Sequence, residues 1–398
     1  MATAEVTTER PGSPEEAAKL LRSLGEAGKA VRVRGGGTKL DWGGIGEPVA
    51  VELEMGGMAK ILEHNVGDLT AVLQAGVPFA EAQAAFAEEG QMLALDPPLG
   101  EAEAATVGGV IATADSGPLR HRYGGARDLI VGISLALSDG TLAKAGGKVI
   151  KNVAGYDLAK LFTGSQGTLG LIVGVTVRLH PKPEGTATAV GASDDAEQLA
   201  KAATLLAGLP LEADSLDAAW QDGSGRLLAR FGGATAAEQA EAAAEHMREA
   251  GLDGVQALED DEELWADLRA AQRAARGEAG DEASGRGRGA SLKVSARITD
   301  LGPAIRTAEA AGGSLVSRAA HGLSWITLDS GDLVRRVAGV RDALQPRPVV
   351  LLDGPAELRR ELDPWGPLDP GALVVMKRLK ERFDTTRIFR PGAFVGGI

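Results

Sequence analysis

The feature that most constrains the fold is a short alternating strand that runs directly into three glycines. Residues 31–37 read VRVRGGG, and the chain continues with TKLDWGG. Because glycine has no Cβ, main-chain N–H groups can approach a phosphate closely at such a point. The join therefore predicts a loop that binds the phosphates of a nucleotide cofactor.

The residues after the glycines distinguish two kinds of nucleotide loop. A Rossmann loop continues into a helix and is followed about 20 residues later by an acidic residue. Glu52 and Glu54 lie near that distance, but residues 38–48 contain three glycines and a proline, which no ordinary helix tolerates. We interpret the loop as binding pyrophosphate through main-chain amides alone, and the Rossmann fold is the alternative.

The composition excludes several chemistries. The 398-residue chain has no cysteine, which excludes disulfides, Cys-ligated zinc, protein-held iron–sulfur clusters and a cysteinyl flavin. A net charge of −13 without a dense basic tract argues against nucleic acid as a partner. The polar, acidic N-terminus and the lack of a run of about 20 apolar residues predict a soluble cytoplasmic protein. It would reach the inner membrane only peripherally, through partners.

Local patterns predict a mixed α and β organisation over residues 1–182. A capping box at Ser13 with proline next in sequence predicts a helix start. Asp139-Gly140 between two apolar runs predicts a hairpin. Asp157 is a candidate helix cap. The same patterns predict strands over 49–53, 69–76 and 171–179, a short helix over 58–64 and a helix over 78–89.

Two further glycine-rich tracts follow the first. Residues 106–117, TVGGVIATADSG, are too apolar for a linker and too rich in small residues for an ordinary helix, so we interpret them as backbone packed against a ligand. Residues 164–170, GSQGTLG, form the third tract. A P-loop does not fit because Gly146-Gly147-Lys148 lacks the earlier glycine and the following Ser or Thr, and Ser165 lacks the glycine of a hydrolase elbow.

A change of pattern at residues 180–185, HPKPEG, predicts the first domain boundary. Beyond it, helical patterns over 193–208, 235–250 and 259–276 alternate with strand patterns over 224–231, 291–298 and 323–329. This alternation predicts a sheet with helices packed on one face. An amphipathic helix is predicted over 371–383.

Several motifs together resemble the FAD-binding oxidoreductases of the vanillyl-alcohol oxidase or PCMH type. Within that family, the chain is most similar to the FAD-binding subunits of bacterial glycolate oxidase, the GlcE type. The resemblance is dense over 31–182 and at the C-terminus. It is carried by RGGGT (34–38), AGV (75–77), DPP (96–98), TVGGVIATADSG (106–117), RYGGARDLIVG (122–132), KNVAGYDLAKLFTGSQGTLGLI (151–172) and MKRLKERFDTTRIFRPG (376–392).

The resemblance implies an α+β fold with a PCMH-type FAD-binding domain over residues 1–182, in subdomains of about 13–76 and 77–182. An α+β cap domain would be inserted over 183–345, and residues 346–398 would pack back on the FAD domain. The implied cofactor-binding residues are Arg34, Gly35, Gly36, Gly37 and Thr38 at the pyrophosphate, Pro97, Thr106, Val107, Gly108 and Gly109 at the flavin, and Ala112, Gly117 and Ile172 completing the cradle. Thr38 stands where relatives that tether FAD have histidine, so non-covalent FAD is expected.

The implied function is the FAD-carrying subunit of a glycolate (2-hydroxyacid) oxidoreductase, with a catalytic flavin subunit and an iron–sulfur subunit as partners. A stand-alone alcohol or hydroxy-acid oxidase and a structural subunit with a vestigial flavin are the alternatives. The catalytic residues stay open, and no metal site is expected. The candidates for contact with substrate, flavin or a partner are His121, His321, Arg390, Lys151 and Tyr156.

Overall fold

The computed structural model describes residues 6–148, 156–273 and 289–398. The chain forms two compact units. The first comprises the chain up to Ser116, together with Gly124–Lys182 and Leu368–Ile398, and the second comprises Gly117–Tyr123 and Pro183–Pro367. Both units combine helices with sheets, so the predicted α+β class is confirmed.

The described residues of the first unit form ten strands and six helices, numbered along the whole chain. The strands are β1 Thr7–Glu9, β2 Val31–Arg34, β3 Val51–Glu54, β4 Ile61–Asn65, β5 Thr70–Gln74, β6 Gln91–Met92, β7 Ile130–Ala136, β8 Leu142–Gly146, β9 Leu171–Arg178 and β10 His180–Pro181. The helices are α1 Pro14–Glu26, α2 Phe79–Ala87, α3 Val107–Thr113, α5 Ala126–Leu129, α6 Leu158–Phe162 and α13 Pro370–Phe383. Helix α4, Arg120–Tyr123, belongs to the second unit.

Local signals set several of these elements. The Ser13 hydroxyl accepts a hydrogen bond from the Glu16 N–H at the start of α1, as the capping box predicts. Strands β7 and β8 pair across the Asp139-Gly140 turn. The Asp157 carboxylate accepts from the Lys160 N–H at the start of α6. The glycine-rich stretch after β2 is not helical, so the Rossmann alternative does not fit.

Two sheets organise the first unit. A parallel sheet has the order β1-β3-β2, and the C-terminal tail joins its edge through a parallel bridge between Val31 and Phe389. An antiparallel sheet has the order β4-β5-β9-β7-β8. Because β4 and β5 belong to the second of these sheets, the predicted subdomain boundary at 76/77 is wrong, and the change of sheet falls between β3 and β4.

The predicted helix over 58–64 is also wrong, since Ile61–Asn65 is strand β4. Its residues pair with β5, and the Gln74 N–H donates to the Lys60 carbonyl at the end of the ladder. A seven-residue window is too short for periodicity to separate helix from strand. The neighbouring strand decides the outcome by supplying hydrogen-bond partners.

The second unit is built on an eight-stranded antiparallel sheet of order β14-β11-β13-β12-β16-β17-β15-β18. The strands are β11 Thr186–Ser193, β12 Ser215–Gln221, β13 Ser224–Gly232, β14 Asp253–Leu258, β15 Ala290–Ser295, β16 Gly313–Arg318, β17 Leu323–Leu328 and β18 Val349–Asp353. The helices are α7 Ala196–Gly208, α8 Ala236–Glu249, α9 Glu262–Ala270, α10 Leu301–Ala310, α11 Leu333–Ala343 and α12 Ala356–Glu361. Strand β18 lies in this sheet, so residues 346–367 belong to the second unit, whereas the predicted C-terminal segment of the FAD domain began at 346; the chain rejoins the first unit at Leu368.

Helices cover both faces of this sheet, which corrects the prediction of one covered face. Most helices share the core that contains Ala189 of β11. Helix α9 instead places Trp265 against Val190, the next residue of the same strand. Consecutive strand residues point to opposite faces, so α9 lies on the other side of the sheet.

Candidate cofactor site

The first unit contains a cavity where the three glycine-rich tracts meet. It holds about 760 Å³ of space free of protein atoms, part of which is open solvent. The lining residues are Val33, Gly35, Gly36, Gly37, Thr38, Lys39, Leu40, Met55, Ala75, Ala105, Thr106, Gly108, Gly109, Ala112, Thr113, Gln166, Gly167, Gly170, Ile172 and Arg390.

Packing explains why the first tract contains glycine. A Cβ on Gly35 would lie 2.2 Å from the Thr106 Oγ1, and a Cβ on Gly36 would lie 1.6 Å from the Ala104 carbonyl oxygen. Gly37 has φ +74°, in the left-handed region. The first loop therefore lies directly against the start of the second tract, and no side chain fits between them.

The second tract is a helix, contrary to our interpretation that its small residues prevent one. Thr106 caps α3 by accepting from the Gly109 N–H at 3.2 Å. A Cβ on Gly108 would lie 2.7 Å from the Ala75 Cβ. The glycines let the helix contact the end of β5 closely, and this tertiary contact offsets their low helix propensity.

Some main-chain donors of the cavity wall have no partner within the described residues. They include the N–H groups of Gly36 and Gly37 in the first loop and of Gly167 in the third. Nothing lies within 4 Å of a Cβ built on Gly167. Unpaired N–H groups and the absence of side chains suit an anionic phosphate group, so this wall fits a phosphate-bearing cofactor such as FAD.

A buried lysine joins three parts of the wall. Lys39 follows the first loop, its Nζ lies 3.1 Å from the Asp115 Oδ2 at the end of the second tract, and both side chains are almost fully buried. The same ammonium donates to the Pro98 carbonyl at 3.3 Å and lies 5.8 Å from the centre of the Trp42 ring. One charge thus links the first loop, the DPP turn and the second tract.

The C-terminal tail forms another part of the wall. Arg390 lines the cavity, and its Nη2 donates to the Leu40 and Trp42 carbonyls at 2.8 and 2.9 Å. Arg390 has φ +42°, an uncommon conformation for a residue with a side chain. Its guanidinium therefore binds main-chain carbonyls just after the first loop and holds that loop in place.

Arg34 lies outside the cavity lining and has a different partner. Its Nη1 is 2.9 Å from Glu52 Oε1, and Arg32 Nη2 is 2.6 Å from Glu52 Oε2. Burial acts to raise the pKa of Glu52, but the hydrogen bonds from Arg32 and Arg34 outweigh it, so the pKa is lowered. Glu52, an acidic residue of the Rossmann alternative, lies on β3 and balances the charges of two arginines on the neighbouring parallel strand β2.

The cavity brings together nine of the thirteen cofactor residues implied by resemblance. These are Gly35, Gly36, Gly37, Thr38, Thr106, Gly108, Gly109, Ala112 and Ile172. Arg34, Pro97 and Val107 do not line it, and Gly117 belongs to the second unit. Direct contact of any of these residues with FAD stays a prediction.

Sequence reasoning missed several lining residues that lie inside or beside the motifs it used. Lys39 directly follows RGGGT, and Gln166 and Gly167 are part of the third tract. Met55 and Ala75 stand at the ends of β3 and β5. Adjacency to a glycine tract could have suggested Lys39, but nothing local identifies Asp115 as its partner.

Two histidine candidates meet in the second unit. The rings of His121 and His321 are 5.6 Å apart in an edge-to-face arrangement. Burial is the main cause that lowers the pKa of His121 to about 4, helped by His321 and Arg122. Burial also lowers the pKa of His321, with Arg120 contributing. Both rings are therefore neutral near pH 7.

We expect His121→Gln to reduce the acid sensitivity of the second unit. Because the folded pKa of about 4 lies below the ordinary 6.5, protons favour the unfolded chain as pH falls from 6.5 to 4, and stability declines over that window. The ring is only partly buried, so the effect is on the order of 1 kcal/mol.

Urea unfolding of the full chain at pH 7 and pH 4.5, followed by tryptophan fluorescence, measures this effect. Trp220, Trp265, Trp325 and Trp365 all report on the second unit. His246→Gln, on the partly exposed side of α8, is the matched control. If both variants lose as much stability on acidification as the parent, His121 does not cause the acid sensitivity.

The remaining candidates are placed as follows. Tyr156 is 92% exposed, so its ring neither packs in the core nor lines the cavity. Lys151 lies outside the described residues. Among the described residues no group of three His, Asp or Glu side chains could hold a metal ion. No described helix has both the length and the apolar character needed to cross a membrane.

Comparisons with known proteins agree with this geometry. The FAD binding domain family matches residues 8–146. The chain is 37% identical to the glycolate oxidase subunit GlcD of Bacillus subtilis over 175 residues, 44% of this chain and 37% of GlcD. It is 34% identical to the glycolate oxidase subunit GlcE of Escherichia coli over 143 residues, 36% of this chain and 41% of GlcE.

A solved structure extends the similarity to nearly the whole fold. An alkyldihydroxyacetonephosphate synthase superposes with a TM-score of 0.70 over 96% of this chain and 76% of its own, at 16% identity. The sequence matches to curated relatives, including GlcD and GlcE, span less than half the length of those relatives. Residues 8–146 match the FAD binding domain family, which supports FAD as the cofactor, and the solved structure shows that the chain shares its α+β fold.

Proposed function

We propose that this chain is the FAD-binding subunit of an oxidoreductase complex that oxidises a small 2-hydroxy acid, with glycolate as the first substrate to test. The observation that carries the proposal is the cavity wall with unpaired main-chain donors at Gly36, Gly37 and Gly167, formed largely within the segment that matches the FAD binding domain family. The similarity to two glycolate oxidase subunits supports the substrate class and the complex.

The residues present define how FAD would be held. Gly36, Gly37 and Gly167 offer N–H donors to the pyrophosphate, and Lys39 adds a positive charge to the same wall. Val33, Met55 and Ile172 supply apolar surface that excludes water. When bound, FAD accepts two electrons from the C–H bond of a hydroxy acid.

The cavity wall holds no obvious general base. Among its described lining residues, only Lys39 and Arg390 are ionisable. Lys39 is paired with Asp115, and arginine stays protonated at any working pH. Because oxidation of a hydroxyl requires a base for its proton, the base would come from outside this wall.

Reconstitution tests the proposal in two steps. Purified chain incubated with FAD should retain a flavin absorbance at about 450 nm after gel filtration. Expressed in its native host, the tagged chain should copurify with a second flavin chain and an iron–sulfur chain, and the complex should reduce a dye with glycolate. A colourless chain would refute FAD binding, and peroxide production from hydroxy acids by the isolated chain would favour the stand-alone oxidase.

A further inference from the structure

A second buried lysine lies behind the cavity wall, on the C-terminal helix α13. The Lys380 ammonium donates to the Thr168 carbonyl at 2.7 Å and to the Phe389 carbonyl at 2.8 Å. It also lies 2.7 Å from Asp384 Oδ2. All three partners belong to the first unit, and Lys380 itself does not line the cavity.

Two partners of Lys380, Thr168 and Phe389, are next in sequence to residues that line the cavity. Thr168 follows Gln166 and Gly167 of the third tract. Phe389 precedes Arg390, whose guanidinium holds the first loop through the Leu40 and Trp42 carbonyls. The ammonium therefore connects the third tract to the tail, and the tail connects onward to the first loop.

Asp384 completes this junction. Its two carboxylate oxygens accept from the Ile388 and Phe389 N–H groups at 3.1 and 3.0 Å, and its side chain is fully buried. The turn before Arg390 is thus shaped by the same ion pair. A buried pair of this kind contributes little net stability, so geometric control is the more informative role to test.

We propose that Lys380 is a positioning residue for FAD, which sets the separation between the Gln166-Gly167 wall and the Arg390 wall of the cavity. The inference rests on the proposed function only in taking FAD as the occupant. It adds that Lys380 determines the affinity for FAD although this residue does not line the cavity. Without the ammonium, the third tract would no longer be held at a fixed distance from the C-terminal tail.

The test compares three variants of the full chain. Lys380→Met removes the ammonium but leaves Asp384 buried and unpaired, so it should lose both stability and FAD affinity. Lys380→Met with Asp384→Asn removes the uncompensated charge but keeps only one side-chain oxygen for the Ile388 and Phe389 N–H groups, so it should recover part of the melting temperature of the apoprotein. The affinity for FAD, measured by flavin fluorescence, should stay lower than that of the parent by about tenfold or more in this double variant.

Lys377→Met is the matched control, because Lys377 is exposed on the same helix. It should bind FAD as the parent does. A double variant that binds FAD as tightly as the parent would overturn the inference while leaving the proposed function intact. A parent chain that takes up no FAD would instead remove the proposed function.

A measurement on the parent protein covers the case in which the variants do not fold. Hydrogen exchange should show that FAD protects the C-terminal end of α13 with its cap, residues 377–384, together with residues 165–168, although residues 377–384 do not line the cavity. Protection restricted to the cavity-lining segments would overturn the coupling through Lys380.

Discussion

Gly36→Ala should abolish FAD uptake and destabilise the first unit by about 3 kcal/mol, the upper end of typical overpacking costs. The new Cβ would lie 1.6 Å from the Ala104 carbonyl oxygen, which is rigid backbone and cannot rotate away as a side chain could. The loop would have to move off the second tract. The unpaired Gly36 N–H would then leave the cavity wall.

Thermal unfolding and bound flavin absorbance measure the two effects separately. Gly67→Ala is the matched control, because Gly67 lies in a short turn of the same unit and a Cβ there has nothing within 4 Å. A Gly36→Ala protein with the stability and flavin content of the control would show that the loop does not need this close contact.

Lys39→Met should cost about 3–5 kcal/mol of stability, because it leaves the Asp115 carboxylate buried and unpaired. The first loop would also lose its link to the Pro98 carbonyl. Since Lys39 lines the cavity, FAD affinity should fall as well. Urea unfolding and FAD titration give the two readouts.

The double variant Lys39→Met with Asp115→Leu separates charge burial from cofactor binding. Replacing a buried ion pair by apolar residues is often neutral for stability, so this variant should unfold near the parent while still binding FAD weakly. Full recovery of FAD affinity would mean that the ammonium only balances Asp115 and makes no contribution to the cofactor site.

Much of the local structure could be predicted because its causes lie within a few residues. The Ser13 cap, the Asp139-Gly140 hairpin and the Asp157 cap each depend on a hydrogen bond or turn between near neighbours. The non-helical first loop follows from its glycines and proline in the same way. Nine of the thirteen cofactor residues implied by the family resemblance line one cavity.

Other outcomes depended on partners far along the chain. Residues 61–65 became a strand because β5 pairs with them, and α3 tolerates its glycines because Ala75 lies against Gly108. Segment 117–123 belongs to the second unit although its neighbours on both sides belong to the first. Neither periodicity nor propensity contains information about such contacts.

The sequence by itself therefore predicted a nucleotide cofactor and a non-helical loop for its phosphates, because missing side chains and helix breakers act locally. Only the tertiary structure decided which charges organise the cavity. Lys39 and Lys380 reach acceptors 59 and 212 residues away. A buried ammonium is stable only where folding places carbonyls and a carboxylate around it, and that arrangement has no signature in the residues beside it.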